Sequence, residues 1–294
     1  MAGSFLRQWF TKSRPLQPDV ANAVAELKTV AVARPALAGS LTTLQDLLPL
    51  LYDDLPEPPA IALDHELASA KLSSGVPLLR GENLPLSDEV HRRRWNRICA
   101  TARAHQSGEE TAAHDPNAHN EQLAPGAMIL EVLAGRPETP AAMAEELGVD
   151  GGMITTLLRL YWFPVLSAVR ESLAPLLANV PWRFGHCPVC GSNPLLAELR
   201  GLEQGRFLRC GLCASAWEHP RLECPYCGTQ DHHALGYFHL AGEETRYRVS
   251  TCDECRRYVK TIATLSELTG PSLLAADAMT LHLDLAAAER GYVV

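Results

Sequence analysis

A chain of 294 residues, 47% of them hydrophobic, has the material for one large domain or two modest ones and is not globally disordered. Its formal charge of −8 has the wrong sign for a protein that must neutralise phosphates. No apolar run approaches the roughly 18 residues that cross a bilayer. The start, MAGSFLRQWFTKSRP, lacks a continuous apolar stretch with a small-residue cleavage site, so the expectation is a soluble cytoplasmic protein with no membrane insertion.

Helical periodicity comes first. Val20, Val24, Leu27 and Ala31 recur at helical spacing, and Leu41, Leu44, Leu47, Leu48 and Leu51 do so again. Pro35, between these stretches, suits the first turn of the second helix. The proline-rich LPEPPAIAL leads into a third helix over about residues 63–70, and a fourth covers about 87–105. Within the fourth, HRRRWNRIC turns Trp95, Ile98 and Cys99 inward. Its basic face is either simply solvated or a docking surface for an acidic partner. Residues 105–126 have no clear period and read as a long exposed loop, whose His105, His114 and His119 are solvated rather than metal ligands. Thr139 and Pro140 fit an N-cap followed by proline in the first turn. TPAAMAEELGVDGGMITTLLRL has the outline of a helix-turn-helix with Gly148 at the turn. Its second helix, however, offers a base edge only Arg159 and two threonines, so two packed core helices are the better reading.

The composition changes near residue 180. Short strands are expected over residues 195–200, 206–209, 233–240 and 246–250. Helical character returns over 275–289, where the tail should pack back onto the helical part. The fold class is therefore α+β. An all-helical domain (1–180) precedes two tandem ribbon-like four-cysteine metal modules (181–219 and 220–263) and a C-terminal helical segment (264–294).

Eight of the nine cysteines follow residue 186, all as C-x-x-C pairs: Cys187/Cys190, Cys210/Cys213, Cys224/Cys227 and Cys252/Cys255. In a reducing compartment that pattern reads as metal ligation rather than disulfides. The first two pairs are separated by 19 residues, the last two by 24, and the halves by 10. Each half repeats the order knuckle, strand, turn, strand, knuckle. Gly191 and Gly228, just after a second cysteine, supply the positive φ that such a turn requires. Two knuckles complete a tetrahedral four-sulfur site for zinc or a single iron. The repeat predicts sequential pairing, with a cross-braced pairing of the first and third knuckles as the alternative. A half of this size has too small a core to be self-sufficient, so a structural ion alone explains the cysteines. A closed four-cysteine site has no open position to activate water. No nucleophile–base pair, phosphate loop or carboxylate dyad stands out, so no catalytic residues are assigned and an enzyme is not expected. A redox dithiol is a lesser reading of the same pairs. Cys99 is expected to be a small buried apolar residue. Trp217 and Tyr258 flank knuckles, where they either shield the sulfurs or simply pack.

CPVCGSNP, RFLRCGLCASAWEHPRLECPYCG and STCDECRRYVKTI together resemble the FdhE family of formate dehydrogenase accessory proteins, and the tail ADAMTLHLDLAAAERGY is similar to that family's C-terminal segment. The resemblance spans residues 182–292 and includes all eight cysteines, Arg206, Trp217, Arg221, Tyr258 and Lys260. The chain departs from it at Ala276-Asp277, where family members often carry two acidic residues. If that pair touches a partner, the contact is altered here. The resemblance implies a cytoplasmic accessory or assembly factor. Such a factor binds the catalytic subunit of a respiratory formate dehydrogenase before export and is needed for its maturation or activity. It also implies rubredoxin-like modules holding two metal ions, which tilts the expectation towards iron, with zinc the alternative. Two other readings stay open: an iron redox protein acting on that enzyme, and a ribbon-type nucleic-acid binder. Against the last, residues 183–260 hold ten Lys/Arg and nine Asp/Glu, with no basic stripe.

Overall fold

The computed structural model of the chain describes residues 17–86, 88–105, 123–178 and 181–293. The expected histidine positions 114 and 119 lie outside these residues. Helices α1 (Pro18–Ala33) and α2 (Ala38–Tyr52) form an antiparallel pair. Pro18 opens α1, while Pro35 starts a short 3-10 turn (Pro35–Leu37) ahead of α2 rather than α2 itself. Val20, Ala23 and Leu27 of α1 and Leu41, Leu44, Leu47, Leu48 and Leu51 of α2 face the core, as their spacing requires.

Helix α3 (His65–Ser73) is capped by the Asp64 side chain, which accepts from the Leu67 N–H at 2.7 Å. In α4 (Asp88–Ala104), Trp95, Ile98 and Cys99 are buried. The basic run of this helix divides: Arg94 is buried and donates to the Leu51 carbonyl at 2.8 Å, while Arg97 lies 3.5 Å from Asp53. His105, at the end of α4, bonds Asp46 at 2.9 Å.

Helix α5 (Pro125–Leu133) falls within the stretch expected to be loop only at its start, and continues beyond it. Helix α6 (Thr139–Glu146) begins with Glu138 as its N-cap, one residue before the position expected. Gly148 makes the turn with φ +71°. The second helix of the apparent helix-turn-helix is only the start of α7 (Gly151–Leu177), a 27-residue helix through the core. Tyr161, Trp162 and Phe163 are fully buried there, and the Tyr161 hydroxyl and His91 Nδ1 are 2.7 Å apart. By length and composition α7 could cross a bilayer, although no apolar run of that length was expected from sequence; its burial among the other helices accounts for its apolar character.

The second half forms one six-stranded sheet: β1 (Pro194–Arg200), β2 (Gly205–Cys210), β3 (Ala216–Glu218), β4 (Leu235–Phe238), β5 (Tyr247–Cys252) and β6 (Arg257–Thr264). The order is β3-β2-β1-β6-β5-β4, antiparallel except for the parallel pair β1/β6 at its centre. Each half contributes three strands in the same sense, so the repeat propagates along the sheet. The third strand of the second half docks against the first strand of the first. Neither third strand, β3 or β6, was expected from sequence.

The tail is two helices, α8 (Gly270–Met279) and α9 (Leu281–Glu289), where one was expected. Thr280 breaks them, its hydroxyl donating back to the Ala276 carbonyl at 2.8 Å. Helix α8 packs on α1 and α2, as anticipated for the tail. Helix α9 instead covers the second half of the sheet, where Leu283 and Ala287 pack on Val249 and Tyr258.

Candidate metal centres

Each C-x-x-C pair sits on a tight turn whose backbone closes on itself. In the first knuckle the Gly191 N–H donates to the Cys187 carbonyl at 3.0 Å, and the Cys187 N–H to the Ser192 carbonyl at 2.9 Å. The third knuckle repeats both bonds with Gly228, Cys224 and Thr229, at 3.0 and 2.9 Å. All four residues following a second cysteine have positive φ: Gly191 (+82°), Ala214 (+56°), Gly228 (+74°) and Arg256 (+58°). Two of these are not glycine and hold a conformation costly for an L-residue, which the closed turn imposes.

The turns bring the eight sulfurs together in two sets, Cys187/Cys190/Cys210/Cys213 and Cys224/Cys227/Cys252/Cys255, with all ligand atoms of a set within 4.8 Å of one another. This is the sequential arrangement. Sulfur–sulfur distances are 3.5 Å (Cys187–Cys213) and 3.4 Å (Cys190–Cys210) in the first set, and 3.7 Å for both Cys224–Cys255 and Cys227–Cys252 in the second. A tetrahedron of sulfurs at about 2.3 Å from zinc has edges of about 3.8 Å, so both sets fit a four-coordinate ion. The Leu212 and Tyr226 N–H groups point at the Cys210 and Cys224 sulfurs, at 3.3 and 3.4 Å, and so favour thiolate there.

The two sets differ in burial. The first is wholly buried, whereas Cys227 of the second is exposed and Cys255 half-buried. In the first set burial drives the Cys190 and Cys210 thiols well above their ordinary range. Burial also opposes ionisation of Cys187, but hydrogen bonds from Cys190, Cys210 and Cys213 outweigh it and pull that thiol down. Four buried sulfurs therefore cannot all ionise by themselves, and a bound cation would supply the charge that lets them do so. Cys99 lies apart from both sets, and burial pushes its thiol up to about 12. Trp217 is buried and donates through Nε1 to the Phe184 carbonyl at 3.1 Å.

Two patterns tie these centres to the rest of the fold. The Leu78 and Leu79 N–H groups donate to the Pro188 and Val189 carbonyls, each at 2.9 Å, fastening the first knuckle to the helical half. Gly185 lies against the third knuckle so closely that a Cβ there would sit 1.6 Å from the Pro225 carbonyl oxygen. Tyr258 and Lys260, on β6, reach not the sulfurs but the C-terminal helices. Lys260 Nζ lies 2.7 Å from both Asp277 and Asp284, and the Tyr258 hydroxyl donates to Asp284 at 2.7 Å. Asp277 thus turns inward and Ala276 is buried, so the departure at this dipeptide falls on packed positions. This network was not foreseen, because its partners lie on elements far apart in sequence.

Two family domains match in tandem: FdhE, central domain, over residues 186–221, and FdhE, C-terminal domain, over residues 222–293. Residues 186–293 are thus similar to FdhE proteins end to end. An FdhE homolog of Aquifex aeolicus is 31% identical over 152 residues, 50% of this chain and 52% of that protein. The FdhE protein of Escherichia coli O127:H6 is 32% identical over 143 residues, 47% of this chain and 44% of its own length. The chain thus spans about half the length of the curated FdhE relatives it matches. The crystal structure of the FdhE protein from Pseudomonas aeruginosa superimposes with a TM-score of 0.60 at 25% identity, covering 96% of this chain and 94% of that one. The likeness in fold therefore extends through the helical half.

Proposed function

We propose that this protein is a cytoplasmic accessory factor that binds the catalytic subunit of a respiratory formate dehydrogenase and supports its maturation, with two four-cysteine metal modules shaping the binding surface. The observation that carries this reading is the closure of both centres. Each gathers four sulfurs at tetrahedral spacing on closed turns, an arrangement that uses every coordination position on protein thiolates. A metal held this way supplies structural rigidity or, if iron, one-electron transfer. The chain's own part is to hold the sulfurs ionised and to join both modules to the helical domain through the sheet and the Leu78–Pro188 and Leu79–Val189 bonds. The FdhE domains and the fold likeness support the accessory role.

The test is affinity isolation of the tagged, metal-loaded protein from cells making the dehydrogenase. The catalytic subunit is expected in the eluate, and formate dehydrogenase activity is expected to fall when the chain is deleted. Absence of the subunit together with normal activity in the deletion strain overturns the reading.

A second reading, electron transfer through iron to the same client, is favoured by the exposure of Cys227 at the second centre, which brings that ion to the surface. Anaerobic purification followed by metal analysis and a visible spectrum separates the two. Iron with thiolate charge-transfer absorbance supports the redox role, whereas zinc alone in native protein eliminates it.

A further inference from the structure

The two faces of the sheet treat their charged side chains differently. On the face under the C-terminal helices, Arg209 is paired with Glu198, Arg200 with Glu198 and Glu267, and Lys260 with Asp277 and Asp284. On the opposite face the register places Arg248 opposite Thr261 and Arg257 opposite Cys252, and Arg206 projects to the same side from β2. Residues 219–226, which link the two modules, cross this face and add Arg221. The result is a hollow of about 170 Å³ with four arginines on its wall and Glu223 as its one carboxylate. Glu223 is engaged elsewhere: one oxygen accepts from Gln230 at 2.8 Å and the other lies 3.7 Å from His219. Among the described residues, none of the four arginines has an ion-pair partner.

Arg206 is the centre of this arrangement. It is 5% exposed, and its Nη1 donates to the Arg221 and Glu223 carbonyls at 3.2 and 3.3 Å. Its Nε and Nη2 are buried without a partner. Those two nitrogens form the side edge of the guanidinium, the fork that grips two oxygens of one anion. The Nε atoms of Arg248 and Arg257 are buried without partners as well. Tyrosine rings steady both of these side chains, with the Arg257 guanidinium 4.0 Å from the Tyr226 ring centre and that of Arg248 5.4 Å from Tyr237.

The competing role for these arginines is to offset the charge of the neighbouring centre. Four thiolates on a divalent ion leave two negative charges, whereas the four arginines and Glu223 sum to three positive, so one positive charge is left over. Neutralisation at a distance also gives the buried N–H groups no acceptor, and such groups are costly to leave unmade.

We propose that this hollow is a binding site for a small tetrahedral oxyanion of the phosphate class, gripped by the Nε/Nη2 edge of Arg206 and flanked by Arg248, Arg257 and Arg221. A tetrahedral dianion can accept from several guanidiniums at once, where a planar carboxylate is satisfied by one fork. The site stands independently of the dehydrogenase client.

The test is calorimetric titration of the metal-loaded full chain at fixed ionic strength with inorganic phosphate, a phosphate monoester such as glycerol phosphate, acetate and chloride. Saturable binding of phosphate or the monoester is expected, with acetate and chloride failing to compete. Tighter binding of the monoester identifies an esterified ligand, and equal binding identifies free phosphate. Arg248→Gln and the charge-conserving Arg206→Lys should each weaken binding by about tenfold or more with both metal ions retained. The proposal is overturned if acetate binds as tightly as phosphate or if chloride abolishes the heat. It is equally overturned if both variants bind as the parent does, or if phosphate binding disappears only in step with loss of the second metal ion.

Discussion

Asp277 shows how a single side chain holds the C-terminal helices to the sheet. Its carboxylate lies 2.7 Å from Lys260 Nζ and 3.3 Å from Arg159 Nη2, joining α8, β6 and α7. Burial alone would raise its pKa, but the two cations outweigh burial and hold the carboxyl below its ordinary value. Stability from this group is therefore fully present above the unfolded carboxylate pKa of about 3.9 and is lost as pH falls through the depressed folded value. Asp277→Asn should cost about 1.5–3 kcal/mol at pH 7, the range for hydrogen bonds to charged groups. Urea unfolding of parent and variant at pH 7, 5 and 3 checks this, and the gap between them should be the same at the first two and shrink at the third. A constant gap at all three would mean that the carboxylate's charge is immaterial.

At the scale of elements, Glu198 on β1 is fully buried and accepts from Arg209 on β2, from Arg200 at 2.5 Å and from the Leu268 N–H at 3.2 Å. It therefore ties two strands to the segment that leads into α8. Glu198→Ala leaves Arg209, itself 1% exposed, with the distant Glu267 as its one ionic partner among the described residues, and should cost about 3 kcal/mol in chemical denaturation. A loss below about 1 kcal/mol would show that Glu267 takes over.

The helices with a clean apolar stripe, α1 and α2, were legible in the sequence, as were both hairpins. The third strands were not. In β6, residues 258–262 are buried on both faces, and they include Lys260 and Thr261, so no alternation marks the strand. The internal repeat held the missing clue, because β3 and β6 both follow the second knuckle of their half. The tail misled for a similar reason, since Thr280 continues helical spacing while its hydroxyl bonds back into α8. The cysteine sets were legible because a C-x-x-C turn is local. The arginine hollow was not, since it needs strands from both modules and the linker that crosses them.

For the molecule as a whole, one sheet carries two four-cysteine sets of unequal protection, each able to hold an ion. The first set is completely buried and its knuckle is bonded to the helical half, whereas the second exposes Cys227 and half-exposes Cys255. A chelator must reach the ion or wait for the site to open, so the second ion should leave first. Titration with a metallochromic chelator should then resolve two phases of one ion each. Cys224→Ser should abolish the faster phase and leave the slower one intact, since all four sulfurs of the first set come from residues 187–213. The shared sheet predicts the thermal consequence. β6 of the second module pairs with β1 of the first, and Gly185 packs on the Pro225 carbonyl, so losing the second ion should lower the melting temperature of the entire sheet half. The first ion should nevertheless stay bound until that transition. If Cys224→Ser instead empties both centres at room temperature, the modules fold as one metal-dependent unit and the helical anchor at Leu78 and Leu79 is not enough to hold the first knuckle closed.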